Sequence, residues 1–72
     1  MNNSNVAKIQ LNGDPYEING RTNLNELLNK LKIQKNKVAI EVNGEIVQKG
    51  KYQNFILSKD DKVEIVHFIG GG

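Results

Sequence analysis

The residues best suited to chemistry in this chain stand at its end, where "HFIGGG" fills positions 67–72. Glycine has no Cβ, so Gly70, Gly71 and Gly72 can run as a thin stalk through a slot closed to any side chain. Fully extended, three residues reach about 10 Å. The carboxylate of Gly72 is then a group that can be presented inside another protein. Nothing else in the chain competes with it. There is no cysteine, hence no thiol nucleophile and no disulfide. A single histidine, His67, cannot build a zinc site without carboxylates or a partner chain, so no metal is expected. Ser4, Ser58 and His67 offer no triad, and no G-x-x-x-x-G-K loop precedes a helix to cradle a nucleotide. Asp60 and Asp61 resemble paired catalytic carboxylates, but Ser58-Lys59-Asp60-Asp61 has the composition of a turn, which gives them a solvated, chain-reversing role. No catalytic set is legible among the other residues of the chain.

The elements that must hold this tail have to be few. Seventy-two residues form one domain, able to bury only about 60% of the surface of the unfolded chain. The 10 basic residues against 8 acidic ones give a net charge of +2. The one basic concentration, Lys30, Lys32, Lys35 and Lys37, falls near a helix end, where dipole compensation accounts for it. Tyr16, Tyr52, Phe55 and Phe68 are too scattered for a nucleic-acid surface. "MNNSNVAKIQ" lacks the apolar stretch of a signal peptide, and no run approaches the roughly 18 apolar residues of a membrane span. The expectation is a cytoplasmic protein, monomeric when free, with neither nucleic acid nor membrane as a partner.

Residues 1–5 are polar and are expected to be a flexible extension. "VAKIQL" then alternates, with Ala7, Ile9 and Leu11 on one face and Val6, Lys8 and Gln10 on the other, as in a half-buried strand. The turn formers "NGDP" lead into "YEIN" and predict a hairpin, Asn12 and Gly13 supplying positive φ angles. In "TNLNELLNKLKI", Leu24, Leu27, Leu28 and Leu31 make one apolar stripe on a helix of about three turns. Thr22 or Asn23 can cap it, and Glu26 completes a capping box with Asn23. "KVAIEV" is a third strand with Val38, Ile40 and Val42 on one side, and Asn43-Gly44 turns it into "EIVQ". After a short irregular link carrying Tyr52, Phe55 and Leu57 as plugs, "VEIVHFI" forms the last strand. Val63 and Ile65 face one way in it, and Glu64, Val66 and Phe68 the other. His67 is expected near the sheet edge.

One helix can cover only one face of such a sheet. The last strand can lie in the middle, parallel to the first, which projects the C-terminus from the centre. The expected fold is α+β, a ubiquitin-like β-grasp with a mixed sheet of four to five strands. The β-grasp domain would span 6–69, and the glycine tail 70–72. Val66 and Phe68 on the uncovered face form an apolar patch beside the tail, which reads as a docking surface.

With "VNGEIV" at 42–47, the leucine-rich helix and "DDKVEIVHFIGGG" at 60–72, nearly the whole chain from Val6 onward resembles the ubiquitin-like sulfur carriers of the ThiS and MoaD type. The likeness is greatest to the bacterial carriers of thiamine biosynthesis, the ThiS family. A terminal glycine pair is what that family requires, so the third glycine is an addition.

The resemblance implies a sulfur carrier that is itself no enzyme. A ThiF-like adenylyltransferase uses ATP to convert the Gly72 carboxylate to a glycyl-adenylate. A cysteine desulfurase or other persulfide donor then leaves a thiocarboxylate, 1-thioglycine, and a ThiG-like thiazole synthase receives the sulfur. No cofactor is bound by the chain itself. Gly71 and Gly70 would be the neck that enters the partner's site. Phe68, Val66, Glu64, Ile69 and His67 are the candidate partner-binding residues. A carrier resembling the small subunit of molybdopterin synthase, a non-covalent ubiquitin-like binding module, and a modifier joined to lysine amines are the alternatives.

Overall fold

The computed structural model describes residues 6–68; the segment 1–5 and the tail residues Ile69, Gly70, Gly71 and Gly72 lie outside the described residues. Strand β1 (Val6–Leu11) and strand β2 (Asp14–Asn19) pair antiparallel in the register Leu11↔Asp14, Ile9↔Tyr16 and Ala7↔Ile18. The two residues between them have φ of 50° at Asn12 and 88° at Gly13, the paired positive angles that match a tight turn to strand twist. Strand β2 begins two residues earlier than "YEIN" suggests and includes Pro15. A proline is compatible with that position because β2 is an edge of the sheet.

Helix α1 (Leu24–Leu31) has eight residues, shorter than the three turns expected. Its capping box is formed. The Glu26 N–H donates to Asn23 Oδ1 at 2.8 Å, and the Asn23 N–H donates to Glu26 Oε1 at 2.9 Å. The early stop comes from Lys32, which adopts a left-handed conformation (φ 60°) and lets the Ile33 N–H reach back to the Leu28 carbonyl at 2.9 Å. Glycine usually takes this position, so the sequence gives little warning of it. The stripe packs as its spacing predicts. Leu24, Leu27 and Leu28 are buried and Leu31 is half-buried.

A short 3₁₀ turn (Lys35–Lys37) leads to β3 (Val38–Val42), and a second Asn-Gly turn, with φ of 54° at Asn43 and 86° at Gly44, leads to β4 (Glu45–Val47). The link expected to be irregular is a 3₁₀ helix, Lys49–Asn54. It drives Tyr52 into the core; Leu57 is also buried, whereas Phe55 is only half-buried. Strand β5 (Lys62–His67) closes the sheet in the order β2-β1-β5-β3-β4. It runs parallel to β1 and antiparallel to β3. A five-stranded mixed sheet with one helix across one face is a β-grasp fold.

The core between α1 and the sheet is apolar throughout, drawing Ile9 and Ile18 from the first hairpin, Val38, Ile40 and Val42 from β3, and Val63 and Ile65 from β5. Apart from the Tyr52 hydroxyl, no polar side chain is buried among the described residues. Burial also pushes the Tyr52 hydroxyl above its ordinary value of 10.0, while a backbone hydrogen bond with Ile40 pulls weakly the other way. Among the described residues no helix is long and apolar enough to cross a membrane.

Candidate functional site

Strand β5 carries the chain to the tail, and the structure corrects one expectation about it. His67 does not lie on an outer strand: it ends the central one, paired with Val38 of β3 and beyond the last residue of β5 that β1 pairs with, Val63. The strand also stops at His67, so Phe68 follows it and is held by a single backbone bond, its N–H donating to the Lys37 carbonyl at 2.9 Å.

The face that α1 does not cover is where the remaining predicted residues gather. Val66 lies opposite Ala39 and Glu64 opposite Glu41 in the β5–β3 ladder, and Glu41 is in turn opposite Ile46 of β4. Val66 and Phe68 are each 55% exposed and Ile46 66%. Exposed apolar side chains gathered on one face of a sheet are the kind of surface that marks contact sites. Two carboxylates placed directly across a ladder repel one another. That arrangement adds nothing to the stability of the free chain, and it gives the patch an acidic centre. His67 has the parity of Val63 and Ile65, toward the helix side, yet is exposed.

Three residues hold β5 in place, a role that sequence reasoning, which read two of them only as turn formers, did not give them. Asn12 is one. Its side chain accepts from the Ile65 N–H at 2.7 Å and donates to the Ile65 carbonyl at 3.4 Å. An amide side chain thereby imitates the backbone of a neighbouring strand. On the other side Asn43 shares the work between side chain and backbone: its Oδ1 accepts from the Lys62 N–H at 2.9 Å, and its backbone N–H donates to the Lys62 carbonyl at 2.8 Å. The signal in the sequence is that both turns open with asparagine. Aspartate or glycine would also permit the turn, but only asparagine brings a donor and an acceptor. The third is Lys49. Its ammonium donates to the Val38 carbonyl at 3.0 Å and lies 5.2 Å from the centroid of the Phe68 ring. That cation–π contact fixes the last described residue against the end of β3.

Asp60 and Asp61 stand in the expected turn, but Asp61 does more than meet solvent. Its carboxylate accepts from Asn43 Nδ2 at 2.9 Å and from the Ser58 N–H at 2.8 Å, which ties the turn before β5 to the β3–β4 turn. Lys30 and Lys32 lie at the C-terminal end of α1, with the Lys30 ammonium 5.7 Å from the Tyr16 ring centroid. Among the described residues no group of three His, Asp or Glu side chains is arranged to hold a metal ion.

What the described residues build is therefore a central strand, hydrogen-bonded by asparagine side chains on both sides, with a partly apolar face beside its end. The ThiS family model matches residues 9–72. A protein of Bacillus subtilis called sulfur carrier protein ThiS is 37% identical over 65 residues, covering 89% of this chain and 98% of that one. A thiazole synthase of Magnetococcus marinus is 46% identical over 65 residues. The match takes in 90% of this chain, which spans only 20% of that synthase's length. The crystal structure of the thiamine biosynthesis protein ThiS from Geobacter metallireducens superposes with a TM-score of 0.79 at 32% identity, covering 90% of this chain and 99% of that one.

Proposed function

The chain belongs to the ThiS family, and from that premise we propose that it carries sulfur for thiamine biosynthesis as a thiocarboxylate on Gly72. The match of the family model over residues 9–72, which takes in the glycine ending, is the observation that carries this reading. The absence of cysteine supports it, since sulfur bound covalently to this chain has no thiol to ride on.

Activation has a plain physical reason. A carboxylate is a resonance-stabilised anion with no usable leaving group. Attack of its oxygen on the α-phosphorus of ATP expels pyrophosphate and gives an acyl-adenylate, from which AMP departs readily. The developing charge needs preorganised donors, which a ThiF-like adenylyltransferase would supply. The terminal sulfur of a donor persulfide, formed by a cysteine desulfurase, then attacks the carbonyl carbon and displaces AMP. A second thiol attacks the donor's sulfur in the resulting acyl disulfide, and the thiocarboxylate is freed as that thiol and the donor join in a disulfide. The reacting carbon passes through a tetrahedral state, and Gly70 and Gly71 leave room around it. Thiazole synthase is the proposed acceptor, a reading supported by the likeness of this chain to a segment of proteins bearing that name. Val66, Phe68 and Glu64 are the proposed docking residues, with His67 and Ile69 at the root of the tail.

The test is the intact mass of the chain after incubation with a ThiF-type adenylyltransferase, ATP, a cysteine desulfurase, cysteine and a reducing thiol. The expected product has one oxygen replaced by sulfur at Gly72. The chain shortened by Gly71 and Gly72 should remain folded and unchanged in mass. A ladder of conjugates on lysines would point to a modifier, and an unaltered full-length chain would refute the carrier.

A further inference from the structure

Asn-Gly occurs three times in the chain, at 12–13, 19–20 and 43–44. Glycine leaves the amide nitrogen after an asparagine unhindered, so each pair is open to the same internal reaction, attack of that nitrogen on the asparagine side chain. By sequence the three are equivalent. The structure separates them. Asn12 Oδ1 accepts from the Ile65 N–H at 2.7 Å and its Nδ2 donates to the Ile65 carbonyl at 3.4 Å, so this amide is held at both ends in a partly buried position. Asn43 is also held at both ends, by the Lys62 N–H at 2.9 Å and by the Asp61 carboxylate at 2.9 Å. Asn19 is different. It is exposed at the last residue of β2, and the Thr22 hydroxyl that reaches it donates to its backbone carbonyl. Among the described residues its side chain has no hydrogen-bond partner. The charges differ as well. Asn19 lines a shallow cleft with Arg21, Lys30 and Glu26, a set with net positive charge in which the Glu26 carboxylate is committed to the capping box.

We propose that Asn19 is a modification site, deamidating spontaneously in the folded chain, while Asn12 and Asn43 are shielded by the bonds that tie them to β5 and Asp61. A base from solvent takes the proton of the Gly20 N–H. The nitrogen then bonds to Asn19 Cγ, the Cγ–Nδ2 bond breaks, and Nδ2 leaves as ammonia with a proton from water. Water opens the resulting succinimide at either carbonyl. Attack at Cγ gives aspartate, and attack at the main-chain carbonyl gives isoaspartate, whose backbone runs through Cβ. The net change is an NH exchanged for an oxygen. To react, the side chain must turn onto the nitrogen that follows it. At Asn12 and Asn43 two hydrogen bonds must first break, and the locally opened state that breaks them is a minor population. Charge acts in the same direction. The attack builds negative charge on the Gly20 nitrogen and on Asn19 Oδ1, which neighbouring cations favour, whereas the Asp61 carboxylate beside Asn43 disfavours it there. The isoaspartate would lengthen the short link from β2 to α1. None of this depends on the carrier reading.

Peptide mapping by mass spectrometry tests the proposal on the full chain, held folded in mildly alkaline buffer beside a parallel sample in urea. In the folded chain, position 19 should acquire the mass change of an NH exchanged for an oxygen about tenfold faster than positions 12 and 43, or more. In urea, where only the Asn-Gly sequence remains, all three should react at similar rates. A protein isoaspartyl methyltransferase should label the product at position 19 of the folded sample. Asp61→Ala removes one of the two ties on Asn43 and the negative charge beside it. The rate at Asn43 should then rise about threefold or more, with that at Asn19 unchanged. Should Asp61→Ala fail to fold, the rates in the natural chain still decide. Reaction at Asn12 or Asn43 as fast as at Asn19 in the folded chain would overturn the proposal. So would a position 19 as inert as the other two, and an Asn43 rate unmoved in folded Asp61→Ala would overturn the shielding.

Discussion

Replacing Asn12 by glycine isolates the work of one side chain. Glycine accepts the φ of 50° found at this position, so the turn itself is not strained by the change. What is lost is the pairing to Ile65, a good hydrogen bond at 2.7 Å and a long one at 3.4 Å. A typical bond contributes about 0.5–1.5 kcal/mol net, and a polar group left unpaired in a partly buried site costs about 1–3 kcal/mol. Water can reach part of this site, so the lower half of that range applies. Extra freedom in the unfolded chain adds about 0.4–1 kcal/mol. Together these give a loss of about 2 kcal/mol, set against a total stability of about 4–11 kcal/mol for a chain of this length. With a urea m value near 1 kcal/mol/M, the lower end for small proteins, the midpoint should fall by about 2 M. Exchange should quicken first at the Ile65 amide. Asn12→Asp, which keeps the acceptor and loses the donor, should cost about half as much. A midpoint within a few tenths of the natural chain, or an Ile65 amide protected as before, would refute the claim that this amide serves as a strand.

Three further expectations concern the two faces and the core. Leu28→Ala removes a buried contact between α1 and the sheet and should cost about 2–5 kcal/mol in urea denaturation; an unchanged midpoint would contradict the packing of α1 on the sheet. Phe68→Asp should cost less than about 1 kcal/mol, the worth of the Lys49 contact, while weakening adenylation in an ATP–pyrophosphate exchange assay; global unfolding would put Phe68 in the core. Because burial raises Tyr52 above 10.0, the folded chain retains a proton that the unfolded chain gives up. Its contribution to stability is therefore complete below about pH 10 and is lost as pH rises through the folded value, and this fall should be absent from the denaturation profile of Tyr52→Phe.

The parts of the fold legible in the sequence are those set by short-range rules. Alternation located β1, β3 and β5, the leucine spacing located α1, and the two Asn-Gly pairs fixed the hairpins, because each signal depends on residues that are neighbours in the chain. The errors fall where distant residues decide. Helix α1 ends early at a left-handed lysine whose backbone geometry no local glycine announces. His67 was expected at an edge, since strand order is a long-range property and β5 joins β1 across about fifty residues of chain. The uncovered face could be anticipated by counting helices. The manner in which β5 is gripped could not, because Asn12 reads locally as a turn residue and acquires its second role only when Ile65 arrives beside it. The same logic bears on function. A turn needs only a residue tolerant of positive φ, and glycine would satisfy it; the asparagine side chains add bonds to β5 that the turns themselves do not require. Both turns beside β5 supply an asparagine, Asn43 at its first residue, Lys62, and Asn12 further along at Ile65, and Lys49 secures Phe68 just beyond its end. The ties therefore run the length of β5, from Lys62 to Phe68, and under the proposed carrier role they hold in place the strand that precedes residues 69–72.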